Sequence, residues 1–209
     1  MSYIENTYIC LAAPLLLAIL CLRRDVRRLL IFLFLGMTAC LLSAYVSAYA
    51  AGAMGVDVSA AAHEISPVVE EIIKFFPVGF YLLVFEPERR SAVSAAMLVA
   101  VGFATFENVC FVASFGASDL PRLLIRGFGT GAMHVVCGMV VSMGLFLLWD
   151  QAWLRAVGAF ALLCAVITFH AVFNLLVNRT GPIFWIGGAI PLMAVLAYLI
   201  FLRGRIDLS

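Results

Sequence analysis

Seven long apolar stretches dominate this sequence, and short segments that carry most of its charged residues separate them. A helix needs about 20 mostly apolar residues to cross the hydrocarbon core of a bilayer. Of the 209 residues, 65% are hydrophobic and 12% are charged, whereas a soluble domain carries about a quarter charged residues. These values exclude a soluble enzyme, a disordered chain and a nucleic-acid-binding protein. They predict an all-α, polytopic bundle of transmembrane helices.

The predicted spans follow one another through short connections, so we expect a single integral membrane domain over residues 1–209. The sequence has no long linker, low-complexity segment or obvious internal repeat. Charged residues, prolines and glycines separate the spans, which we place at Ile4–Leu22, Leu29–Ala51, Pro67–Phe85, Ser91–Phe115, Leu123–Trp149, Ala152–Val177 and Pro182–Leu202.

The arginines are distributed unevenly between the two ends of this predicted bundle. Cytoplasmic loops of membrane proteins carry an excess of lysine and arginine. Nine arginines fall on one side of the bundle and three on the other, which predicts that the N-terminus lies outside and the C-terminus inside. The larger group is Arg23, Arg24, Arg27, Arg28, Arg89, Arg90, Arg155, Arg203 and Arg205, and the smaller group is Arg122, Arg126 and Arg179.

Four of the predicted spans, within about residues 67–177, contain ionisable or amide side chains. An ionisable group inside a span costs at least about 2.5 to 3.5 kcal/mol, so each is a candidate functional residue. With a rise of about 1.5 Å per residue, all of these groups fall at one level in the outer half of the bundle. We therefore expect a polar chamber that opens to the outside. Its residues are Glu70, Glu71 and Lys74, then Glu107 and Asn108, then His134, and finally His170 and Asn174.

Taken singly, these residues have structural explanations. An intramembrane cation usually finds a partner, so Glu71 and Lys74 can form an internal ion pair. His170 or Asn174 can join helices by a hydrogen bond. The outer arginines, Arg122 and Arg126, are expected to contact lipid headgroups or an acidic substrate segment, and headgroup contact is the commoner role. Packing alone does not explain why all of these polar residues lie at one depth, so we expect them to share a function.

Hydrolysis of a peptide bond would give these residues a common task. A carboxylate in a low-dielectric site can serve as general base near neutrality, and Glu70, Glu71 and Glu107 are the candidates. His170 and Asn174 lie one helical turn apart and could stabilise an oxyanion. His134 could orient water or shuttle a proton, with Lys74 and Asn108 in support.

Zinc chemistry is the alternative route to hydrolysis. Two histidines and one glutamate form a known catalytic ligand set, here Glu107, His134 and His170. No H-E-x-x-H motif is present, so we favour carboxylate chemistry without a cofactor and keep Zn²⁺ as the alternative. Serine and aspartyl proteolysis are disfavoured because the chain has no G-x-S-x-G motif and its aspartates fall in or beside loops.

Two functions other than proteolysis use similar residues. Buried carboxylates, lysine and histidines also form proton relays in transporters and channels, but such a relay would need a polar path to the cytoplasmic side. The inner halves of the spans carry little beyond hydroxyl groups such as Ser94 and Ser142. A non-catalytic scaffold that binds a partner helix along Gly131, Gly138 and Ser142 is the other alternative.

The motifs together resemble the PrsW family of bacterial intramembrane proteases. They are Glu70-Glu71-x-x-Lys74, Phe103-Ala104-x-x-Glu107-Asn108, the isolated His134 and His170-x-x-x-Asn174, in order on successive helices. The resemblance implies an endopeptidase of the bacterial cytoplasmic membrane. Its implied substrate is a single-span or membrane-anchored protein, typically an anti-sigma factor, cut near the extracytoplasmic face.

That family is in turn distantly similar to the type II CAAX prenyl endopeptidases. In those enzymes a glutamate and a histidine are held to activate water, and a His/Asn pair forms the oxyanion hole. By this similarity, Glu70 and Glu71 match the paired glutamates, and His170 with Asn174 matches the oxyanion pair. The chain has Glu107 where the CAAX pattern has a histidine. It also has Lys74 where that pattern has an arginine one position later.

Overall fold

The computed structural model describes residues 3–148 and 152–202. Within these ranges all regular structure is helical, as predicted. The helices are α1 (Tyr3–Cys21), α2 (Arg24–Met54), α3 (Val58–Glu64), α4 (Ser66–Phe85), α5 (Arg89–Phe115), α6 (Leu120–Leu124), α7 (Gly131–Leu147), α8 (Ala152–Val177) and α9 (Pro182–Ala197), with π-helical turns at Ile125–Thr130 and Tyr198–Leu202.

The described residues contain six helical stretches that are long and apolar enough to cross a membrane. These stretches agree with six of the seven predicted spans. The predicted span Leu123–Trp149 is formed by α6, the first π-helical turn and α7 together. The remaining predicted span is α4, whose 20 residues extend about 30 Å. Its composition differs from that of the six stretches because it contains Glu70, Glu71 and Lys74. Trp149, Arg203 and Arg205 lie outside the described residues.

The helix α4 keeps its charges away from lipid because it packs inside the bundle against α2, α5 and α8. Glu71 and Lys74 are buried, whereas Phe76 and Phe80 on other faces of the helix are exposed. Pro67 occupies the first turn of α4, where proline is tolerated because the first N–H groups of a helix have no intrahelical partner. The face of α4 that carries Glu71 and Lys74 is therefore turned towards the neighbouring helices.

The helix α5 lies at the centre of the bundle, with α2 on one side and α7 on another. Glycines permit this close approach: a Cβ atom at Gly36 would collide with the Val99 carbonyl, and one at Gly102 would collide with the Leu33 carbonyl. Small residues allow membrane helices to bring their backbones together in this way. Gly138 of α7 also lies close to α5, because a Cβ atom there would lie 3.0 Å from the Ala96 carbonyl oxygen.

Two short helices were not predicted. The helix α3 connects α2 to α4, and the Asp57 side chain caps its start by accepting a hydrogen bond from the Ser59 backbone N–H at 3.1 Å. The helix α6 leads into the π-helical turn before α7. Both helices are shorter than the window over which hydrophobic periodicity identifies a helix. They matter here because residues of both segments line the open cavity described below.

Candidate active site

Four helices bring ionisable side chains into contact inside the bundle. The helix α4 supplies Glu70, Glu71 and Lys74, α5 supplies Glu107, α7 supplies His134 and α8 supplies His170. His134 and His170 are buried, and their rings meet edge to face with centroids 5.0 Å apart. The polar groups that the sequence places at one depth thus form one cluster.

Lys74 is the cation at the centre of this cluster. Its Nζ lies 2.6 Å from Glu71 Oε1 and 2.7 Å from His134 Nδ1. An ammonium group can only donate hydrogen bonds, so His134 Nδ1 accepts one and Nε2 carries the ring proton. That Nε2–H donates to Glu107 Oε2 at 2.7 Å. The pairing of Lys74 with Glu71 is the internal ion pair expected from the sequence.

His170 is oriented by the paired glutamates of α4. Its Nδ1–H donates to Glu71 Oε1 at 2.8 Å, which leaves the lone pair on Nε2. That Nε2 lies 3.7 Å from Glu70 Oε2, beyond a direct hydrogen bond. Glu70 Oε2 is buried and has no hydrogen-bond partner among the described residues. An unsatisfied buried carboxylate oxygen of this kind indicates a place for a water, a proton or a cation.

Arg126 belongs to the cluster and was not expected there. Its Nη2 lies 2.6 Å from Glu107 Oε1, and both side chains are about four-fifths buried, at 20% and 24% exposed. The ion pair with Glu107 was not predicted, and the expected contact of Arg126 with lipid headgroups or substrate stays a prediction. The π-helical turn carries Arg126 inward, and neither helical periodicity nor the arginine count could reveal that turn. Arg122, its neighbour, is exposed and lies 3.8 Å from Asp119.

An open cavity of about 240 Å³ gives access to one side of the cluster. Glu70, Glu107, Arg122, Arg126 and Asn174 are among the residues that line it. A second, small cavity of about 20 Å³ adjoins Glu71, Lys74 and His134, and its remaining walls are mostly apolar residues such as Phe75, Val99 and Val141. A polar path to the other side of the membrane would need polar walls here, so the small cavity weighs against the proton-relay alternative.

The two predicted amide residues occupy different positions relative to the cluster. Asn174 lines the open cavity, and its Nδ2 donates to the Ala62 backbone carbonyl of α3 at 3.2 Å. An amide nitrogen has two N–H donors, so one of them is left for another acceptor. Asn108 Oδ1 is buried and has no hydrogen-bond partner among the described residues. The oxyanion role of His170 with Asn174 stays a prediction, as does the supporting role of Asn108.

The donor atoms of Glu70, His134 and His170 lie within 4.8 Å of one another, close enough to hold a metal ion. Two of these atoms are free to bind, since Glu70 Oε2 is unpartnered and His170 Nε2 keeps its lone pair. The Glu71–His170 contact also matches the carboxylate that orients a ligating histidine in metal sites. The residues present therefore fit a divalent cation. This set differs from the predicted one in its carboxylate, because Glu107 is already paired with Arg126.

The fold and this cluster define a polytopic membrane protein with a carboxylate–histidine centre that opens to one side of the bundle. The comparisons with known proteins agree with that class. The model of the PrsW family intramembrane metalloprotease matches residues 25–203. The chain belongs to this family of membrane proteases, as the motifs predicted. No curated protein and no solved structure matches the chain.

Proposed function

We propose that this protein is an endopeptidase that hydrolyses a peptide bond in a single-span or membrane-anchored protein near the extracytoplasmic face of the bacterial cytoplasmic membrane. Membership of the PrsW family supports the reaction class. The open cavity at one end of the cluster supports attack on a segment that enters from one side of the membrane. By the family resemblance, the substrate is an anti-sigma-factor-like protein and the cut is the first step of its regulated proteolysis.

The sidedness of this proposal rests on the arginine distribution. We propose that residues 1–209 form one integral membrane domain with the N-terminus outside. Arg122 and Arg126 line the open cavity, and both belong to the smaller arginine group that the positive-inside rule assigns to the outer side. In a variant whose six native cysteines have been replaced, membrane-impermeant labelling of a cysteine placed at Ala117, between α5 and α6, should occur in intact cells. Labelling only after permeabilisation would reverse the assigned orientation.

The unpartnered oxygen of Glu70 is the observation that carries the mechanism. Glu71 is paired with Lys74, and Glu107 with Arg126, so Glu70 is the carboxylate of this cluster without a cationic partner among the described residues. It also lines the open cavity, where a water and a peptide can reach it. We assign Glu70 as the general base that takes a proton from the attacking water.

Glu71, Lys74 and His134 hold this base in place. Glu71 Oε1 receives hydrogen bonds from both Lys74 and His170, which fixes the His170 ring beside Glu70. Lys74 neutralises Glu71 and fixes His134, which in turn donates to Glu107. Such preorganised polar groups stabilise developing charge without rearranging during the reaction.

The same centre suits the metal that the family description implies. Glu70, His134 and His170 would hold the ion, and it would act as a Lewis acid on the attacking water and the scissile carbonyl. A carboxylate has two oxygens, so Glu70 can bind an ion with one and accept a proton with the other. His134 has to exchange one of its present partners, Lys74 or Glu107, to become a ligand.

The reaction then follows from the positions of the side chains. The water oxygen bonds to the carbonyl carbon while its proton passes to Glu70. Asn174 lines the open cavity, and its free N–H can donate to the carbonyl oxygen as that oxygen becomes negative. Breakage of the C–N bond transfers the proton from Glu70 to the leaving amine, which restores the carboxylate.

A comparison of membrane proteomes tests this function. Cells that carry the wild-type chain should contain new N-termini near the outer ends of single-span proteins, and cells that carry Glu70→Gln should accumulate the same proteins uncut. Glu64→Gln is the matched control, because Glu64 is an exposed carboxylate at the end of α3. Identical sets of new termini in all three strains would refute the proposal.

A further inference from the structure

We propose that Arg126 is a positioning residue that holds Glu107, and through Glu107 the ring of His134, in the geometry that the reaction requires. The inference deepens the proposed function and rests on it. Neither the sequence motifs nor the predicted site includes Arg126. In the structure its guanidinium contacts the Glu107 carboxylate on one side and the Phe111 ring on the other.

The first contact is the ion pair itself. Arg126 Nη2 donates to Glu107 Oε1 at 2.6 Å, and Glu107 Oε2 accepts from His134 Nε2 at 2.7 Å. The two carboxylate oxygens therefore have different partners, and the plane of the carboxylate is fixed by both. Charge-assisted hydrogen bonds of this length are about twice as strong as neutral ones. Without Arg126, one oxygen of Glu107 would lose its partner, and the carboxylate could rotate into the cavity.

The second contact holds the guanidinium from the other side. The Arg126 Cζ atom lies 4.8 Å from the centroid of the Phe111 ring, which is one helical turn beyond Glu107 on α5. A cation over an aromatic face is attracted by the negative face of the ring, and more strongly when it is desolvated. Both partners of Arg126 thus lie on the same face of one helix, so the guanidinium is clamped against α5.

The backbone that carries Arg126 is also fixed by packing. The π-helical turn Ile125–Thr130 lies against α9 at two glycines: a Cβ atom at Gly129 would lie 3.2 Å from the Gly188 Cα, and one at Gly188 would collide with the Ile125 side chain. Single π-helical turns inside α-helices occur frequently at functional sites. Here the turn directs Arg126 towards Glu107, whereas the Arg122 side chain, just before the turn, is exposed.

A substrate-binding role is the competing explanation, because Arg126 lines the open cavity. The two roles predict different kinetics. A residue that binds substrate in the ground state changes KM, whereas a residue that orders the reacting groups lowers kcat. Replacement of groups that orient the ligands or bases of a centre typically costs about 10-fold to 100-fold in activity.

The ring nitrogens of His134 provide a test that needs no substrate. The chain has 3 histidines, so ¹⁵N-histidine labelling in lipid nanodiscs gives few resonances. In the wild type we expect a protonated Nε2 and an unprotonated Nδ1 for His134. In Arg126→Gln both His134 resonances should shift, while Arg126→Lys, which keeps the charge, should shift them less. Arg179→Gln is the matched control, because it removes an exposed charge of the smaller arginine group away from the cluster. Unchanged His134 resonances in Arg126→Gln would overturn the proposal.

The kinetic arm uses the single-span substrate found by the proteome comparison. Arg126→Gln should lower kcat about 10-fold to 100-fold with little change in KM, and Arg126→Lys should recover part of the loss. A rise in KM at constant kcat would assign Arg126 to substrate binding and overturn its positioning role. If the wild-type chain cleaves no substrate, the proposed function fails, and the His134 resonances still decide whether Arg126 positions Glu107. Gel filtration of each variant checks that it is folded.

Discussion

Glu70 Oε2 and His170 Nε2 face each other at 3.7 Å, and each atom is a hydrogen-bond acceptor in the arrangement that Glu71 imposes on the His170 ring. Two acceptors at this distance need a water, a proton or a cation near both of them. The neighbouring carboxylates, Glu71 and Glu107, already have cationic partners. The unsatisfied pair thus marks the point in the cluster where a reactant or an ion is stabilised.

The adjacent glutamates should respond in opposite ways to the same substitution. Glu70→Gln should abolish cleavage and leave the fold intact, because Glu70 has no cationic partner among the described residues. Glu71→Gln should unfold far more readily, because it leaves the buried Lys74 ammonium without its counter-ion. Removing one partner of a buried ion pair costs about 3 to 5 kcal/mol. Thermal unfolding in detergent and cleavage of the single-span substrate measure the two effects.

A reversal of that pattern would reassign the base. If Glu71→Gln folds normally and Glu70→Gln is destabilised, the ion pair between Lys74 and Glu71 is not the one that supports the cluster. Lys74→Met in the Glu71→Gln background is the control. It removes the unpaired charge and should recover much of the lost stability, since two apolar or neutral groups can replace a buried ion pair with little net cost.

Metal removal should separate the two hydrolytic chemistries. We expect chelation to abolish cleavage and Zn²⁺ to restore it, because Glu70, His134 and His170 place their donor atoms within 4.8 Å of one another. Elemental analysis of the purified protein provides a second readout. Zinc content should fall in His170→Gln and Glu70→Gln and stay the same in His63→Gln, since His63 is outside this cluster. Full activity in metal-free protein would instead assign hydrolysis to the carboxylates alone.

The close approach of α2 and α5 should tolerate no added methyl group. In Gly102→Ala the new Cβ would meet the Leu33 backbone carbonyl, which cannot move without shifting the helix. Overpacking of this kind costs about 1 to 3 kcal/mol, and the melting temperature in detergent should fall accordingly. Gly52→Ala is the matched control: it has open space around it, and alanine favours the helix, so its stability should be equal or higher. Equal melting temperatures for the two variants would contradict the packing of the helices.

Much of this arrangement could be predicted from the sequence, because a helix in lipid must be long and apolar and charged residues within it are rare. Apolar length identifies the spans, and the high cost of a charge in lipid makes Glu70, Glu107 and His134 conspicuous. The contacts between these residues could not be predicted in the same way, since they depend on how the helices rotate. The Glu71–Lys74 ion pair within α4 was expected from the sequence, but the hydrogen bonds of His134 to Lys74 and Glu107 join three helices and could not be read from spacing along one of them.

Arg126 is the clearest case of a residue whose position in the sequence did not predict its contacts. Arg126 lies near the start of the fifth predicted span, Leu123–Trp149, and its charge placed it with Arg122 at the outer mouth. A local π-helical turn and the packing of Gly129 on Gly188 direct it to Glu107 instead. Irregular helical turns leave no periodic signal in a sequence. The short helix α3, which contacts Asn174, was missed for a similar reason, because 7 residues are too few for a pattern.

The contact between Asn174 and α3 allows a final prediction that separates catalysis from structure. Asn174 Nδ2 bonds to the Ala62 carbonyl at 3.2 Å, and Asn178 Nδ2 lies 3.1 Å from His63 Nε2, so both amides tie α8 and the segment after it to α3. If Asn174 also stabilises the oxyanion with its second N–H, Asn174→Ala should lower kcat about 100-fold to 1,000-fold. Asn178→Ala removes a similar tie to α3 and should cost far less. Equal losses of kcat in the two variants would limit Asn174 to holding α3.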